Sequence, residues 1–190
     1  MKYNLISSPL VRLGFILLFL KVSPTIAQTS ITNHTWIDDL GKHSLVIEKE
    51  IKEDNSGEHL SVKQITKGNI DWILKDYVND CDLDAVLDVV SESVEVNVDA
   101  GTVLFAYKIG CIGGLDPVTV KYFAYRNGVK HTLRGEEHIV IGSSGYGGEQ
   151  PPAPDFNLRN DSHLLDYMLR RWGDISMTKH NWLSDFYSQE

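Results

Sequence analysis

Carboxylates are the chemical groups that this sequence concentrates most clearly. They alternate along residues 80–84 and recur at Asp88. Alternating carboxylates begin the calcium loop of an EF-hand, but that loop also needs glycine at its sharp turn and a bidentate glutamate at its end. Ala85 and Ser91 stand at those two positions. The pattern therefore predicts a solvated acidic strand edge and no metal site.

Histidine and serine form no known catalytic pattern here. None of the seven histidines belongs to an H-x-H or H-x-x-x-H pair of the kind that binds zinc. The sequence contains no G-x-S-x-G nucleophile motif, and among 26 acidic residues no pair stands out for glycoside hydrolysis. We therefore predict no catalytic residue and no cofactor, and we expect a binding protein rather than an enzyme.

Aromatic side chains form the one candidate ligand surface, because their flat faces suit sugar rings. Six of them are candidates for such stacking: Trp36, Trp72, Tyr77, Tyr122, Tyr125 and Tyr146. Large aromatic side chains more often fill the core of a domain. Tyr146 is the exception, since its glycine-rich surroundings predict an exposed loop. The candidate ligand contacts are Trp72, Tyr77 and Tyr146.

The sequence contains two cysteines, Cys81 and Cys111. In an oxidising compartment two such cysteines usually pair. The alternatives are a redox pair or a metal site, but there is no C-x-x-C motif and no histidine at ligand spacing. We predict a structural disulfide, which would stabilise the fold by roughly 3–4 kcal/mol in the chain-entropy model.

The N-terminal residues 1–27 have the features of a cleavable secretory signal peptide. A basic start precedes the apolar run 13–20, and the small residue Ala27 marks the cleavage point. An uncleaved membrane anchor is the alternative, although a spanning helix needs about 20 apolar residues. We expect an exported protein, periplasmic or extracellular, with no membrane span after cleavage.

The net charge of the chain restricts its partners. It is −8, and removal of the three basic residues within 1–27 would make it −11. Nucleic acids require a basic face, and so does electrostatic docking on anionic lipid. We therefore predict no nucleic-acid partner, and the charge fits a soluble envelope protein or one that faces a basic partner.

Alternating apolar residues predict that residues 28–141 form a β-rich domain with an antiparallel meander. The apolar run Thr102–Ile109 predicts a central strand, and Asn127-Gly128 predicts a type I′ hairpin turn. Residues 35–51 predict two short strands. Residues 80–90 are ambiguous, because their apolar spacing suits a helix while their β-branched content suits a strand.

The C-terminal part predicts a loop followed by a helix. Glycine and proline make residues 142–161 a surface loop without regular structure. Ser162 is the expected cap of a helix over residues 163–172, which Gly173 would end. Residues 162–190 are therefore a helical segment, with one more amphipathic turn near residues 182–187. The fold class is α+β, mainly β, with a C-terminal helix and one disulfide.

The order of these elements resembles a family of small exported bacterial proteins named for surface polysaccharide biosynthesis. The resemblance covers roughly residues 35–140. It rests on a strand ending in Val78-Asn79-Asp80-Cys81, a strand–turn–strand unit ending in Cys111, and a later segment ending in Arg134-Gly135. The acidic turn of the pattern is reduced here to residues 99–101. The family has no defined active site to transfer to this chain.

This resemblance implies an exported, non-catalytic accessory or binding protein in surface polysaccharide biosynthesis, with a surface glycan or an envelope protein as its partner. A periplasmic protein-binding module, such as an inhibitor or an immunity protein, is the alternative that small size, acidity and one disulfide support. An envelope hydrolase with a site built from scattered residues ranks last.

Overall fold

The computed structural model describes residues 28–52, 57–99 and 101–180. The predicted signal peptide, residues 1–27, and the amphipathic turn predicted near residues 182–187 lie outside the described residues. The described part contains three sheets and two helices. None of its helices has the length and apolar character needed to span a bilayer.

The first sheet is an antiparallel meander in the order β1-β2-β3-β4. Its strands are β1 (Gln28–Asp38), β2 (Gly41–Ile51), β3 (Glu58–Thr66) and β4 (Asn69–Val78). Strand β3 follows the predicted alternation, since Leu60 and Val62 are buried and their neighbours are partly exposed. The two strands predicted within residues 35–51 exist, but both are longer, at eleven residues each.

The second sheet is antiparallel in the order β11-β8-β7-β6-β5. Its strands are β5 (Asp84–Val98), β6 (Thr102–Ile112), β7 (Thr119–Arg126), β8 (Val129–Glu136) and β11 (Ala153–Pro154). The first six residues of β6 are all buried, which confirms the predicted central strand. Asn127 and Gly128 both have positive φ, at 52° and 73°, as the predicted type I′ turn requires.

A small third sheet and two helices complete the described fold. The sheet joins β10 (Ser144–Gly147), β9 (His138–Ile141) and β12 (Met177–His180), and the helices are α1 (Phe156–Arg159) and α2 (Ser162–Ser176). Strand β12 runs parallel to β9, whereas every other pairing in the described sheets is antiparallel. The fold class is therefore as predicted: mainly β and antiparallel, with a C-terminal helix.

The second sheet is buried on both faces. One face packs on the first sheet, where Phe105 and Phe123 meet Leu45 and Leu60. The other face packs under the helices around Leu164. The result is three layers, namely sheet, sheet and helix, which is the usual way in which elements with one apolar face bury it.

Residues 84–98 are a strand and not a helix. The strand pairing of β5 with β6 is interrupted between Val90 and Glu95. In this bulge the buried Ser93 hydroxyl accepts a hydrogen bond from the Ala106 N–H (2.6 Å) and donates one to the Val90 carbonyl (2.6 Å). The bulge exchanges the two faces of the strand, so that Leu87 and Val94 contact the same core while Val90 contacts the other.

Three predictions for the C-terminal part are wrong: the loop without regular structure over residues 142–161, the bounds of the helix, and the helical character of residues 162–190, which include the strand β12. Regular structure does form within residues 142–161, as β10, β11 and α1. It forms because β10 pairs with β9 and β11 pairs with β8, and pairing overrides weak local propensity. The helix is capped by Asp161, whose carboxylate accepts from the Leu164 N–H, and it continues through Gly173 to Ser176.

The disulfide joins Cys81 to Cys111, as predicted. Cys81 lies in the connection between β4 and β5, where the chain crosses from the first sheet to the second, and Cys111 lies near the end of β6. A partly buried ion pair makes a further link between the sheets. The Asp76 carboxylate on β4 binds Lys121 on β7 and accepts a hydrogen bond from the Tyr107 hydroxyl (2.6 Å).

Candidate functional site

Four hairpin turns enclose a cavity of about 690 Å³ at one end of the two packed sheets. We call this cavity the hairpin cleft. Its lining residues come from all four hairpins: Trp36, Asp38, Asp39, Leu40, His43, Gln64, Thr66, Asp71, Trp72, Asn97, Gly101, Tyr125, Asn127 and Gly128. The volume lies within the range of small-molecule sites, which is about 300–1,000 Å³.

The meander explains why these turns meet. Successive antiparallel strands reverse direction, so alternate turns of a meander lie at the same end of its sheet. The turns β1–β2 and β3–β4 supply one side of the hairpin cleft, and β5–β6 and β7–β8 supply the other. The cleft is therefore a product of the packing of two sheets, and no local motif encodes it.

A hydrogen-bonded relay of polar side chains begins at His43 on one wall of the hairpin cleft. His43 is 3% exposed. Its Nε2 atom lies 2.7 Å from Asp38 Oδ1, and its Nδ1 atom lies 2.8 Å from Thr66 Oγ1. Both ring nitrogens are therefore engaged, and the imidazole is fixed in one orientation.

The relay continues along the same side of the cleft, on the β3–β4 hairpin, through Asp71. Thr66 donates its hydroxyl hydrogen to Asp71 Oδ2, and Gln64 Nε2 donates to the same oxygen (3.0 Å). The Gln64 carbonyl oxygen in turn accepts from the Trp72 indole N–H (3.0 Å). The relay thus holds polar groups and an aromatic ring in one connected arrangement.

The relay keeps a negative charge at Asp38. The hydrogen bond from His43, together with that from the Leu40 backbone N–H, holds the pKa of the Asp38 carboxyl below its ordinary value of 3.8. Asp38 is therefore ionised at neutral pH, and its charge faces a cleft that also contains Asp39 and Asp71.

Aromatic rings form the apolar part of the hairpin cleft. Trp36 stacks on His43 with ring centroids 5.1 Å apart, and Trp72 stacks on Tyr125 at 3.7 Å with an interplanar angle of 5°. Both tryptophans are only partly buried. Flat rings beside fixed hydrogen-bonding groups are what a polar ring such as a sugar needs, because its faces are apolar and its edges carry hydroxyls.

The order Asp38–His43–Thr66 has the composition of an acid–base–nucleophile triad, but its hydrogen bonds run in the wrong direction for one. A triad base must accept the hydroxyl hydrogen of the nucleophile. Thr66 gives its single hydroxyl hydrogen to Asp71 and therefore has none to give to His43. In this arrangement the relay orients groups for binding and does not activate Thr66.

The three aromatic residues predicted as ligand contacts do not share one cavity. Trp72 lines the hairpin cleft, whereas Tyr77 lines a separate depression with His59. Tyr146 lies on β10, where its hydroxyl donates to the Leu115 carbonyl (2.6 Å). Of the wider aromatic set, Tyr122 is fully buried and belongs to the core.

Sequence reasoning named Trp72 but missed His43, Thr66 and the other polar residues of the relay. A signal for them was present, because His43 occupies the same strand face as Leu45, and Thr66 the same face as Val62. Polar residues that continue a buried strand face at a hairpin end predict a polar site there. The sequence does not show that the two hairpins bring these residues together.

A second cavity, of about 540 Å³, contains a buried charged cluster that sequence reasoning also missed. Lys108 Nζ lies 2.7 Å from Glu137 Oε1, and Thr178 hydrogen-bonds to both groups. These residues connect β6 of the second sheet to β12 of the third. The cluster therefore fastens the small sheet to the main body.

The acidic run that opened the sequence analysis is exposed, and Asp84 and Asp88 lie on the edge strand β5. Asp88 forms an ion pair with Lys49 (2.7 Å). Among the described residues, no group of three or more metal-ligating side chains is arranged to hold an ion.

Comparisons with family models, curated proteins and solved structures gave no match. The resemblance of residues 35–140 to the surface polysaccharide family therefore stays a prediction that rests on the residue pattern alone.

Proposed function

We propose that this protein is an exported, non-catalytic factor that binds glycan during the assembly of surface polysaccharide, and that the hairpin cleft is its binding site. The observation that carries the proposal is the convergence of partly exposed Trp36 and Trp72 with the relay of His43 in one cavity. Such a mixture of flat rings and oriented polar groups suits a sugar better than it suits a purely apolar ligand.

Two further observations support the proposal. The disulfide between Cys81 and Cys111 is compatible with an oxidising compartment outside the cytoplasm. The pattern of residues 35–140 resembles exported proteins named for surface polysaccharide biosynthesis. Both observations are consistent with an exported protein that binds glycan in the hairpin cleft.

The direct test is calorimetric titration of the purified protein with oligosaccharides prepared from the surface polysaccharide of its host. We expect binding that weakens at least tenfold in Trp36→Leu, because this change removes an aromatic face from the cleft. Tyr77→Leu is the matched control, since it removes an exposed aromatic ring from the first sheet outside the cleft. Circular dichroism checks that both variants fold.

The same variants can be tested in the host. A strain that lacks the gene should have an altered surface polysaccharide ladder, which Tyr77→Leu restores and Trp36→Leu does not. If every host oligosaccharide fails to bind and the ladder of the deletion strain is normal, the glycan proposal is wrong.

The outer edge of β1, with which no described strand pairs, favours a second candidate, a protein-binding module. Strand β1 is the terminal strand of its sheet and is largely exposed. Edge strands are usually protected by charge, proline or a bulge, yet residues 28–37 contain no charged residue and no proline, and their pairing with β2 is continuous. Such an edge can accept a strand from a partner.

Affinity capture from host envelope extract tests this candidate. A partner that binds through the edge should be lost in Ile31→Lys, which places a charge on an exposed position of β1. Glycan binding should be unchanged in that variant. Capture that is insensitive to the charge on β1 would argue against recognition through this edge.

A further inference from the structure

The charge of the hairpin cleft is negative whatever the protonation state of its one histidine. Asp38, Asp39 and Asp71 line it, and its described lining includes no lysine or arginine. A fully protonated His43 would still leave the three carboxylates in excess by two. Lys42 and Lys67 lie on two of the hairpins that form the cleft but do not line the cavity.

The carboxylates of the cleft can reach a ligand. Asp39 is exposed at the turn of the β1–β2 hairpin. Asp71 accepts from Thr66 and Gln64 through Oδ2, and among the described hydrogen bonds none ends on its Oδ1. A cation that entered the cleft would therefore find carboxylate oxygens that the relay does not use.

The aromatic rings of the cleft add to this preference for cations. The faces of tryptophan and tyrosine attract an ammonium group that lies within about 6 Å of the ring centroid. Trp36 and Trp72 stand in the same lining as the three carboxylates. The same two tryptophans could therefore stack on a sugar ring and attract its ammonium group.

We infer that the hairpin cleft selects glycans that carry free amino groups, as protonated amino sugars, and disfavours glycans that carry carboxylate or phosphate. The inference rests on the proposed glycan-binding function and names the substrate class of that site. Its physical basis is charge complementarity: the ammonium group meets three carboxylates, whereas an acidic sugar is repelled by them and by the net charge of −8 of the whole chain.

Three oligosaccharides of equal length test the inference: a glucosamine tetramer, an N-acetylglucosamine tetramer and a galacturonic acid tetramer. Calorimetric titration is done in mildly acidic, low-salt buffer, in which the free amines are protonated. We expect the glucosamine tetramer to bind about tenfold or more tightly than its acetylated form, and the galacturonic acid tetramer not to bind. Added salt should weaken only the glucosamine complex.

Removal of one charge from the cleft provides the variant test. Asp39→Asn should reduce the preference for the free amine over the acetylated tetramer several-fold, because it removes one of the three carboxylates of the cleft. Asp84→Asn is the matched control, because it removes an exposed carboxylate from β5, outside the cleft.

The outcomes separate the two proposals. Equal binding of the free and acetylated tetramers, or preference for the acidic one, would overturn the charge inference and leave glycan binding intact. Failure of all three tetramers and of the host oligosaccharides would overturn the binding function itself. A preference that Asp39→Asn and Asp84→Asn reduce equally would show a general charge effect and overturn the assignment to the cleft.

Discussion

At the scale of single residues, polar side chains on buried strand faces mark the site of this protein. His43 continues the face of Leu45, and a buried imidazole needs partners for both nitrogens. Asp38 and Thr66 supply them, so the relay satisfies its own hydrogen bonds before any ligand arrives. Such a fixed arrangement favours binding, because little ordering remains to be done.

Asp161 stabilises the protein through its charge and through its position before α2. It caps the helix and pairs with Arg126 (2.9 Å). We expect Asp161→Ala to lower the free energy of unfolding by about 1–2 kcal/mol at neutral pH. Asp161→Asn should cost less, because asparagine also caps helices and only the ion pair is lost. Urea denaturation measures both.

The contribution of Asp161 depends on pH with a defined sign. The Leu164 backbone N–H and the Arg126 charge lower the pKa of Asp161 from 3.8. Stabilisation by this carboxylate is therefore complete above the unfolded pKa of 3.8 and is lost as the pH falls through the lower pKa of the folded state. The difference between wild type and Asp161→Asn should shrink in acid. A constant difference from neutral to strongly acidic pH would contradict the assignment.

Gly135 is a second residue with a testable role, because it lies directly beneath the Trp172 ring. A Cβ atom at Gly135 would lie 2.6 Å from that ring and 3.3 Å from the Pro152 backbone. We expect Gly135→Ala to destabilise the protein by about 1–3 kcal/mol, the usual cost of overpacking. Close packing against Trp172 therefore explains why glycine follows Arg134 near the end of β8.

Gly173→Ala is the matched control for Gly135→Ala and should have the opposite sign. Gly173 lies inside α2, and nothing lies within 4 Å of a Cβ built there. Alanine favours a helix interior over glycine by up to about 1 kcal/mol. Thermal melts should therefore move down for Gly135→Ala and up for Gly173→Ala. Two shifts of the same sign would contradict this account of the two glycines.

At the scale of elements, β5 shows why sequence patterns predicted some strands and left others ambiguous. Strand β3 is buried on one face, so its alternation is visible in the sequence. Strand β5 contributes to both cores and exchanges its faces at the bulge. Its apolar residues therefore lose the two-residue period, and their spacing imitates a helix. The prediction that the helix ends at Gly173 failed for a related reason. Burial of Ile175 extends α2 beyond a glycine, although glycine often ends a helix.

The bulge in β5 depends on Ser93, which is fully buried. Removal of its hydroxyl would leave the Ala106 N–H without a partner inside the protein. We expect Ser93→Ala to cost about 1–3 kcal/mol, the penalty of a buried unsatisfied donor. Ser91→Ala changes an exposed serine of the same bulge and should cost less than about 0.5 kcal/mol. Equal effects of the two changes in urea denaturation would show that the Ser93 hydroxyl has no special role.

At the scale of the whole molecule, local signals predicted the hairpins but not how they assemble. The turn at Asn127-Gly128 is encoded by two adjacent residues, and it forms as predicted. The hairpin cleft instead needs residues as far apart as Trp36 and Tyr125, which two packed sheets bring together. A sequence pattern can name the aromatic residues, as it did for Trp72, but it does not show that Tyr77 points elsewhere. That information resides in the packing of the sheets.

The disulfide acts at this largest scale, because it ties the crossing between the two sheets to β6. Cys81 is 6% exposed and belongs to the core that both sheets share. The double change of Cys81 and Cys111 to serine should lower the free energy of unfolding by roughly 3–4 kcal/mol, since the cross-link restricts a 30-residue separation in the unfolded chain. The double variant avoids a lone reactive thiol.

Reduction of the wild-type protein is the control that isolates the bond from the substituted atoms. Reduced wild type should unfold at nearly the same urea concentration as the double variant, and mass measurement of the wild-type protein isolated from its host should find no thiol that reacts with an alkylating agent. An unchanged midpoint after full reduction would mean that sheet packing alone holds the crossing. A lowered midpoint would show that the disulfide stabilises the packing of the two sheets, which supply the two walls of the hairpin cleft.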